Sequence, residues 1–443
     1  MDISNHKGAT PLNTAAQEGH IEIILEFLYR GAGVDKADEE GWTPLNTAAL
    51  KGHVEIAREL LKNGASVKTA EEAGWTPLIT AAIFGNVEVA RELLKNGAIV
   101  DIKSNMGATP LNFAAQEVYL EITQELLNHG AGVNIADNEG WTPLKIAALN
   151  CHMDVFQELL NHGASVNMSN NNGWTPLNTT AQEGILQVVR VLLNCGANVD
   201  IANNDGSTPL NEAAIFGHVE VVRELLNRGA SVDIAEKDGW TPLLVAAAND
   251  HVEVVREMLN HGANVDIEDK HGSTPLIGAA INGHVEVVRE LLNHGANVDI
   301  ADKYGLTPLH YAAAINIHVE VVRELLNHGA TVDTINSVGS TPLNSAAHKG
   351  HVEVVRELLN HDASLQVARK GDWTTIFTAA ENGHVEVFRE LLKHYAFVNI
   401  AKKKYWEILN IAAENNHVDV IRELLKIGAS VKISNKRGWT PFS

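Results

Sequence analysis

Histidine is the residue type here best suited to chemistry, as metal ligand or proton carrier, and the chain has 21 of them. Their placement is regular. Ten share one register: His20, His53, His152, His218, His251, His284, His318, His351, His384 and His417. Seven share another: His129, His162, His261, His294, His328, His361 and His394. If each stands on a separate helical layer, like positions are about 10 Å apart. That is too wide for a shared zinc, whose bonds to nitrogen are about 2.0–2.1 Å. His348 and His351 are the closest pair and lack a further ligand. Catalytic spacings are missing as well: there is no His-Glu-x-x-His and no Gly-x-Ser-x-Gly. Gly31-Ala32-Gly33 and Gly130-Ala131-Gly132 have Lys36 and Ile135 where a dinucleotide fingerprint needs its third glycine. They read as helix ends. Cys151 and Cys195, the only cysteines, sit at different register positions and form no disulfide framework. The expectation is a protein without metal, cofactor or enzymatic activity, in a reducing compartment: the cytoplasm, with the nucleus as the other open address.

The elements that place these residues repeat. Thr-Pro-Leu begins at Thr10, Thr43, Thr76, Thr109, Thr142, Thr175, Thr208, Thr241, Thr274 and Thr307, always 33 residues on, and then at Thr341 after a step of 34. An extra residue therefore lies near Ala314-Ile315-Asn316-Ile317. The column weakens to Thr374-Thr375-Ile376, Glu407-Ile408-Leu409 and Thr440-Pro441-Phe442. All 12 prolines stand in it, and all eight tryptophans fall just before it. Such a period means stacked modules rather than the three globular domains that 443 residues would otherwise suggest.

One module shows the physics. Thr208 is an N-cap, and Pro209 follows at the first helical position, where a missing N–H costs nothing. Leu210, Ala213 and Ala214 make one apolar face, small enough for close helix approach. Gly217 turns the chain into a second helix, Val219 to Leu226, and Gly229 ends it in a left-handed cap. Val232 and Ile234 alternate with polar residues before Gly239, as in a β-turn finger. About 33 residues bury too little surface to fold alone, so each module must lean on its neighbours.

Gly-x-Thr-Pro-Leu-x-x-Ala-Ala-x-x-Gly-His with Leu-Leu-x-x-Gly-Ala-x-Val-Asp resembles the ankyrin repeat over essentially the whole chain. The resemblance implies an all-α solenoid of about thirteen stacked helix-turn-helix pairs with β-turn fingers, an ankyrin-type superhelix. Residues 1–363 form the regular array, and residues 364–443 are degenerate and more basic. The family usually has His after Thr-Pro-Leu; here Asn13, Asn46, Asn112, Asn178, Asn211 and Asn344 replace it, and only His310 keeps it. Asn also donates and accepts, so hydrogen bonding between modules should persist in altered form. The resemblance also implies side-chain hydroxylation at Asn134, Asn167 and Asn399.

Function then rests on surfaces. The chain carries 34 Lys+Arg against 55 Asp+Glu, a formal −21, which argues against general nucleic-acid binding. No 18 apolar residues run together, so no membrane span is expected, and the first residues lack a signal peptide's apolar stretch. Pairs such as Glu220/Arg223 and Glu253/Arg256 suggest a solvated outer face. In the resembled fold the tryptophan column lies at the finger base, facing a concave groove beside the variable residues that follow Ala-Ala. Trp42, Trp75, Ile83, Phe84, Trp141, Trp174, Ile215, Phe216 and Trp240 are therefore the candidate partner anchors. From Ser364 onward 12 bases face eight acids, against 22 and 47 before it, with bases such as Lys402, Lys403 and Lys404 expected at finger tips. They could steer an anionic partner. The expected function is a monomeric, non-enzymatic scaffold holding a partner protein's segment along the groove. Two alternatives stay open: the repeat arm of a larger regulatory protein, which the mid-module start at Asp2 and stop at Ser443 favour, and a spring-like tether between membrane and cytoskeleton.

Overall fold

The computed structural model describes residues 4–314, 318–365, 375–395 and 402–427. Among them are 26 helices, from Pro11–Glu18 to Val418–Lys426, taken two by two, and no strand. The second module is representative. Thr43 is extended at ψ 162°, and its hydroxyl accepts the Asn46 N–H, so the inner helix Pro44–Lys51 starts as the sequence requires. Gly52, at φ 72°, ends it in the left-handed region. The outer helix Val54–Lys62 buries Ile56, Ala57, Leu60 and Leu61. The finger that follows is a turn, not a β-ladder. The Glu71 carboxylate accepts the N–H groups of Ala73 and Trp75, both at 2.9 Å. One main-chain bond then joins this tip to the one before it, from Glu72 N–H to the Glu40 carbonyl at 3.1 Å.

The asparagine after Thr-Pro-Leu ties modules together. Asn112 Oδ1 accepts the Thr109 N–H at 3.0 Å and the Thr109 hydroxyl at 2.7 Å. Its Nδ2 reaches forward 29 residues to the Trp141 carbonyl at 3.0 Å. His310 does the same with two ring nitrogens: Nδ1 meets the Thr307 hydroxyl at 2.9 Å and Nε2 the Ser340 carbonyl at 3.1 Å. Burial lowers the His310 pKa, which suits this neutral, donor-and-acceptor form. The expected survival of the bonding is thus observed, with Asn O and N standing in for the two ring nitrogens.

The chain divides into two compact units, Met1–Ala213 with Asn227–Ala230, and Ala214–Leu226 with Ser231–Ser443. In each, substantial helix contacts occur only within a pair or between like helices of adjacent pairs. That is the nearest-neighbour architecture of a solenoid. The core of each is the alanine pair of the inner helices against the Val and Leu rows of the outer ones, as in Ala246, Ala247, Val254 and Val255, all fully buried.

One expectation is corrected at the degenerate end. Lys402, Lys403 and Lys404 do not form a finger tip; they are the first turn of a 13-residue helix, Lys402–Glu414. No Thr-Pro pair fixes a start at residue 407, and neither Gly nor Pro interrupts Lys402 to Trp406, so good helix formers carry the helix upstream. Trp406 is therefore helical and half-buried rather than at a finger base. Arg369, Lys370, Trp373, Asn399, Lys436, Arg437, Trp439 and the insertion at residues 315–317 lie outside the described residues.

Candidate functional site

An open-sided hollow lies between the fourth and fifth fingers of the first unit. Phe113 and Ile146, at the same position of successive inner helices, form the apolar floor. Met106 at one tip and Asn138 and Glu139 at the next form the walls of an open-sided cavity of about 420 Å³. Phe113 is nearly buried, whereas Met106 is 61% exposed. Asp137 also lines the cavity, and its Oδ1 accepts the Glu139 and Trp141 N–H groups at 2.9 and 2.8 Å, fixing the finger turn. Side-chain amides stiffen the tips further. Asn105, Asn138, Asn171 and Asn204 each donate to the carbonyl of the preceding tip at 2.8–3.1 Å.

The sequence-chosen anchors differ in exposure and in what they touch. Trp42, Trp75, Trp141 and Trp174 are half-buried, and their main chains receive the asparagine ties or hold the finger turns. The Trp75 ring meets Phe113 edge-on, with centroids 6.1 Å apart. Trp141 lies under the Lys145 ammonium, 4.2 Å from its centroid. Ile83 and Ile215 are half-buried, while Phe84 and Phe216 are 43% and 50% exposed. Phe216 stacks on His218, centroids 6.2 Å apart. Trp240 is the most open of these tryptophans, at 38%. Met106, Phe113 and Ile146 were missed. Their signal is a bulky residue in columns that are otherwise mostly small or polar.

Charge on the groove side differs between the units. In the first, exposed tips carry Glu39, Glu40, Glu72, Glu139 and Asp205 against Lys7. Its inner helices end on exposed Glu18, Glu117 and Glu183 against Lys51. In the second, the exposed tips carry Lys237, Lys270 and Lys303 against Asp238. The tips therefore change sign well before residue 364, a shift that bulk composition hides.

Some departures from the repeat lie on or just after the two inner helices that line the cavity. Lys145 takes the asparagine position, is 1% exposed, and donates to the Trp174 carbonyl at 2.9 Å. Burial lowers its pKa to about 8, with Asp137 opposing. At the turns after the two inner helices, where most modules have glycine, Val118 and Cys151 sit at φ 67° and 58°, as Asp250 and Asn416 do at 62° in the same register. Val118 is the more strained, because a β-branched side chain crowds this region.

The histidines serve structure. In the first register, His251 and His284 Nε2 lie 3.0 Å from the Ile215 and Ala248 carbonyls of the preceding module, and His152 reaches the Ala115 carbonyl with Nδ1 at 3.0 Å. In the second, Nδ1 of His129, His261 and His328 faces the carbonyl four residues back, each at 2.8 Å, at a helix C-terminus. Among the described residues no three His, Cys, Asp or Glu side chains converge as a metal site would need. The outer-face arginines do more than pair along their own helices. Arg223 bonds Glu220 at 2.5 Å and also Glu257 of the next module at 2.6 Å. Arg58, Arg91, Arg256 and Arg289 repeat the pattern.

A family model described as ankyrin repeats (3 copies) matches the chain in overlapping windows, from residues 1–71 to 365–435. The chain belongs to the ankyrin-repeat family. Ankyrin repeats are generally protein–protein interaction modules, typically without enzymatic activity. No curated protein matches the chain at a significant level. Of the ankyrin asparagines named for hydroxylation, Asn134 and Asn167 accept the N–H groups of Ser165 and Asn198 of the next finger, both at 2.8 Å. Among the described residues no helix is long and apolar enough to cross a membrane.

Proposed function

We propose that this ankyrin-repeat protein is a non-enzymatic scaffold that holds a segment of a partner protein in the groove between its fingers and inner helices. The observation that carries this is the 420 Å³ cavity between adjacent fingers, with an apolar floor and an exposed methionine wall. A volume in this range suits a docked group, and a flexible thioether adapts to it. Phe84 in the first unit, and Phe216 and Trp240 in the second, add exposed aromatic surface of the kind that concentrates binding energy. The polar capping asparagines hold the tips in place before a partner arrives, which lowers the ordering cost of binding. The exposed, unpaired thiols of Cys151 and Cys195 suit the reducing cytoplasm or nucleus.

The test compares partner capture by the full chain with capture by Met106→Ser, Phe84→Ser and Trp240→Ser, read by mass spectrometry. All three side chains are exposed, so helical content should stay unchanged by circular dichroism. Loss of the same partner from Met106→Ser supports the groove; identical capture by all four proteins refutes it.

A further inference from the structure

We propose that the groove of the first unit is built for a lysine- or arginine-rich chain segment bearing one bulky apolar residue. This rests on the groove reading above and adds the partner's chemistry. The apolar side chain occupies the cavity over Phe113 and Ile146. The cationic residues lie against the carboxylates on either side of it.

Three observations converge. The charged side chains lining the cavity are Asp137 and Glu139, both acidic, and the exposed Glu117 follows the lining residue Gln116. The nearby cations are engaged elsewhere: Lys103 Nζ bonds the Ala136 carbonyl at 3.3 Å, and Lys145 is buried on the Trp174 carbonyl. The acidic bias also extends along the groove, through Glu39, Glu40 and Glu72 against Lys7 on one side and Glu18 and Glu183 against Lys51 on the other. A row of like charges along a low-dielectric wall attracts an opposite charge over several modules, raising the encounter rate and fixing register. The apolar cavity gives the short-range contact that holds the segment once it arrives.

Spacing limits the segment. Adjacent modules stack at about 8–10 Å, and an extended chain rises about 3.3 Å per residue. About three residues therefore span one finger to the next, so cationic residues three apart would meet successive tips. A segment of the opposite sign would face repulsion at the tips that carry Glu39, Glu40, Glu72, Glu139 and Asp205. The second unit's tips, with Lys237, Lys270 and Lys303 against Asp238, lack this preference.

The probes are labelled peptides of about twelve residues, long enough to cross three or four fingers at about 3.3 Å per residue. One has a central Leu-Phe flanked by Lys and Arg; its twin has Glu at every cationic position; a third keeps the cations and has Ser-Ser in the centre. Each is titrated with the full chain by fluorescence anisotropy at low and high salt. The first peptide should bind at least about tenfold tighter than the other two at low salt and weaken as salt rises. The double variant Glu117→Lys/Glu139→Lys should lose about tenfold for that peptide, with unchanged circular dichroism. Equal or tighter binding of the Glu twin, no effect of the double variant, or no binding by the first peptide overturns the proposal. If a peptide of the wrong charge binds and Met106→Ser weakens it, the groove survives and only the partner's chemistry falls. If Met106→Ser changes nothing, the groove falls too.

Discussion

Lys145 offers the sharpest test of how the modules are held together. Replacing it by Asn restores the residue that ties its neighbours, where Asn46 and Asn112 reach the equivalent carbonyls at 2.9 and 3.0 Å. Lysine donates and cannot accept, so the Thr142 N–H and hydroxyl lose the Oδ1 acceptor available to Thr109. Its ammonium is also desolvated. The pKa falls to about 8 in the folded chain, from about 10.4 in the unfolded one. At about 1.4 kcal/mol per unit, burying the charge costs about 3 kcal/mol at pH 7. The Trp141 ring beneath it recovers about 1 kcal/mol. Because the folded pKa is the lower one, the unfolded chain binds the extra proton between about pH 8 and 10.4, and stability rises with pH across that window. Lys145→Asn should thus be more stable than the parent by about 2 kcal/mol at pH 7, the gap shrinking to about 1 kcal/mol by pH 9.5. Taking the difference between the two proteins cancels the other titrating groups. The assay is urea unfolding at both pH values, followed in the block of modules that contains residue 145, since a long array does not unfold in one step. A gap that ignores pH, or an Asn variant less stable at pH 7, would refute the reasoning.

Val118→Gly should raise stability by about 1 kcal/mol, because only glycine enters the left-handed region without a steric cost; hydrogen exchange in the helices Pro110–Gln116 and Leu120–Asn128 reports it. Gln124→Arg, with Glu158 at the spacing that Arg91 keeps from Glu125, should add about 0.2–1 kcal/mol, and less in high salt. Acid should loosen the outer helices. Arg58 and Lys95 hold the Glu92 carboxyl below its usual range, and Arg389 and Lys426 hold Glu423 at about 2. These depressed carboxyls stabilise above the unfolded value near pH 4.3 and lose that contribution as pH falls through the folded values, which a circular dichroism titration from pH 6 to 2 would follow.

Most of the fold was legible because the same few residues solve the same local problem each time. Threonine before proline fixes where a helix begins, glycine fixes where it ends, and paired alanines set how closely the next one packs. Those effects act within a few residues, so periodicity exposes them. The groove was less legible. The tryptophan column drew attention as surface, yet Trp75 and Trp141 spend much of their rings on Phe113 and Lys145. What opens the cavity is Met106, on a different finger from either, and no single-module pattern places it beside Ile146. The outer arginines were read only in part for a related reason. Spacing along the sequence shows Glu220 beside Arg223, but the bond to Glu257 crosses from one module to the next. At Lys402 the logic fails in the opposite direction: without its Thr-Pro start signal, the helix extends through the expected finger.

The departures from the repeat carry more information than the repeat itself. A solenoid's stability is close to a sum of module and interface terms, so a poor residue in one module is tolerated when its neighbours are sound. Val118, Lys145 and Cys151 are such residues, and all three fall within 34 positions, on or just after the two inner helices that carry Phe113 and Ile146. Left-handed non-glycine backbone also occurs at Asp250 and Asn416, so what sets Val118 and Cys151 apart is their place just after the two helices that line the cavity. Restoring Gly at 118 and 151 together with Asn at 145 should stiffen this segment, and the consequence for binding follows from linkage. If the cavity must yield to admit a side chain, the triple variant will be more stable and bind the basic peptide more weakly. If the cavity is already in its binding form, the same variant will bind as tightly as the parent or tighter. Measuring both quantities on the one variant separates a rigid receptor from one that pays for its fit.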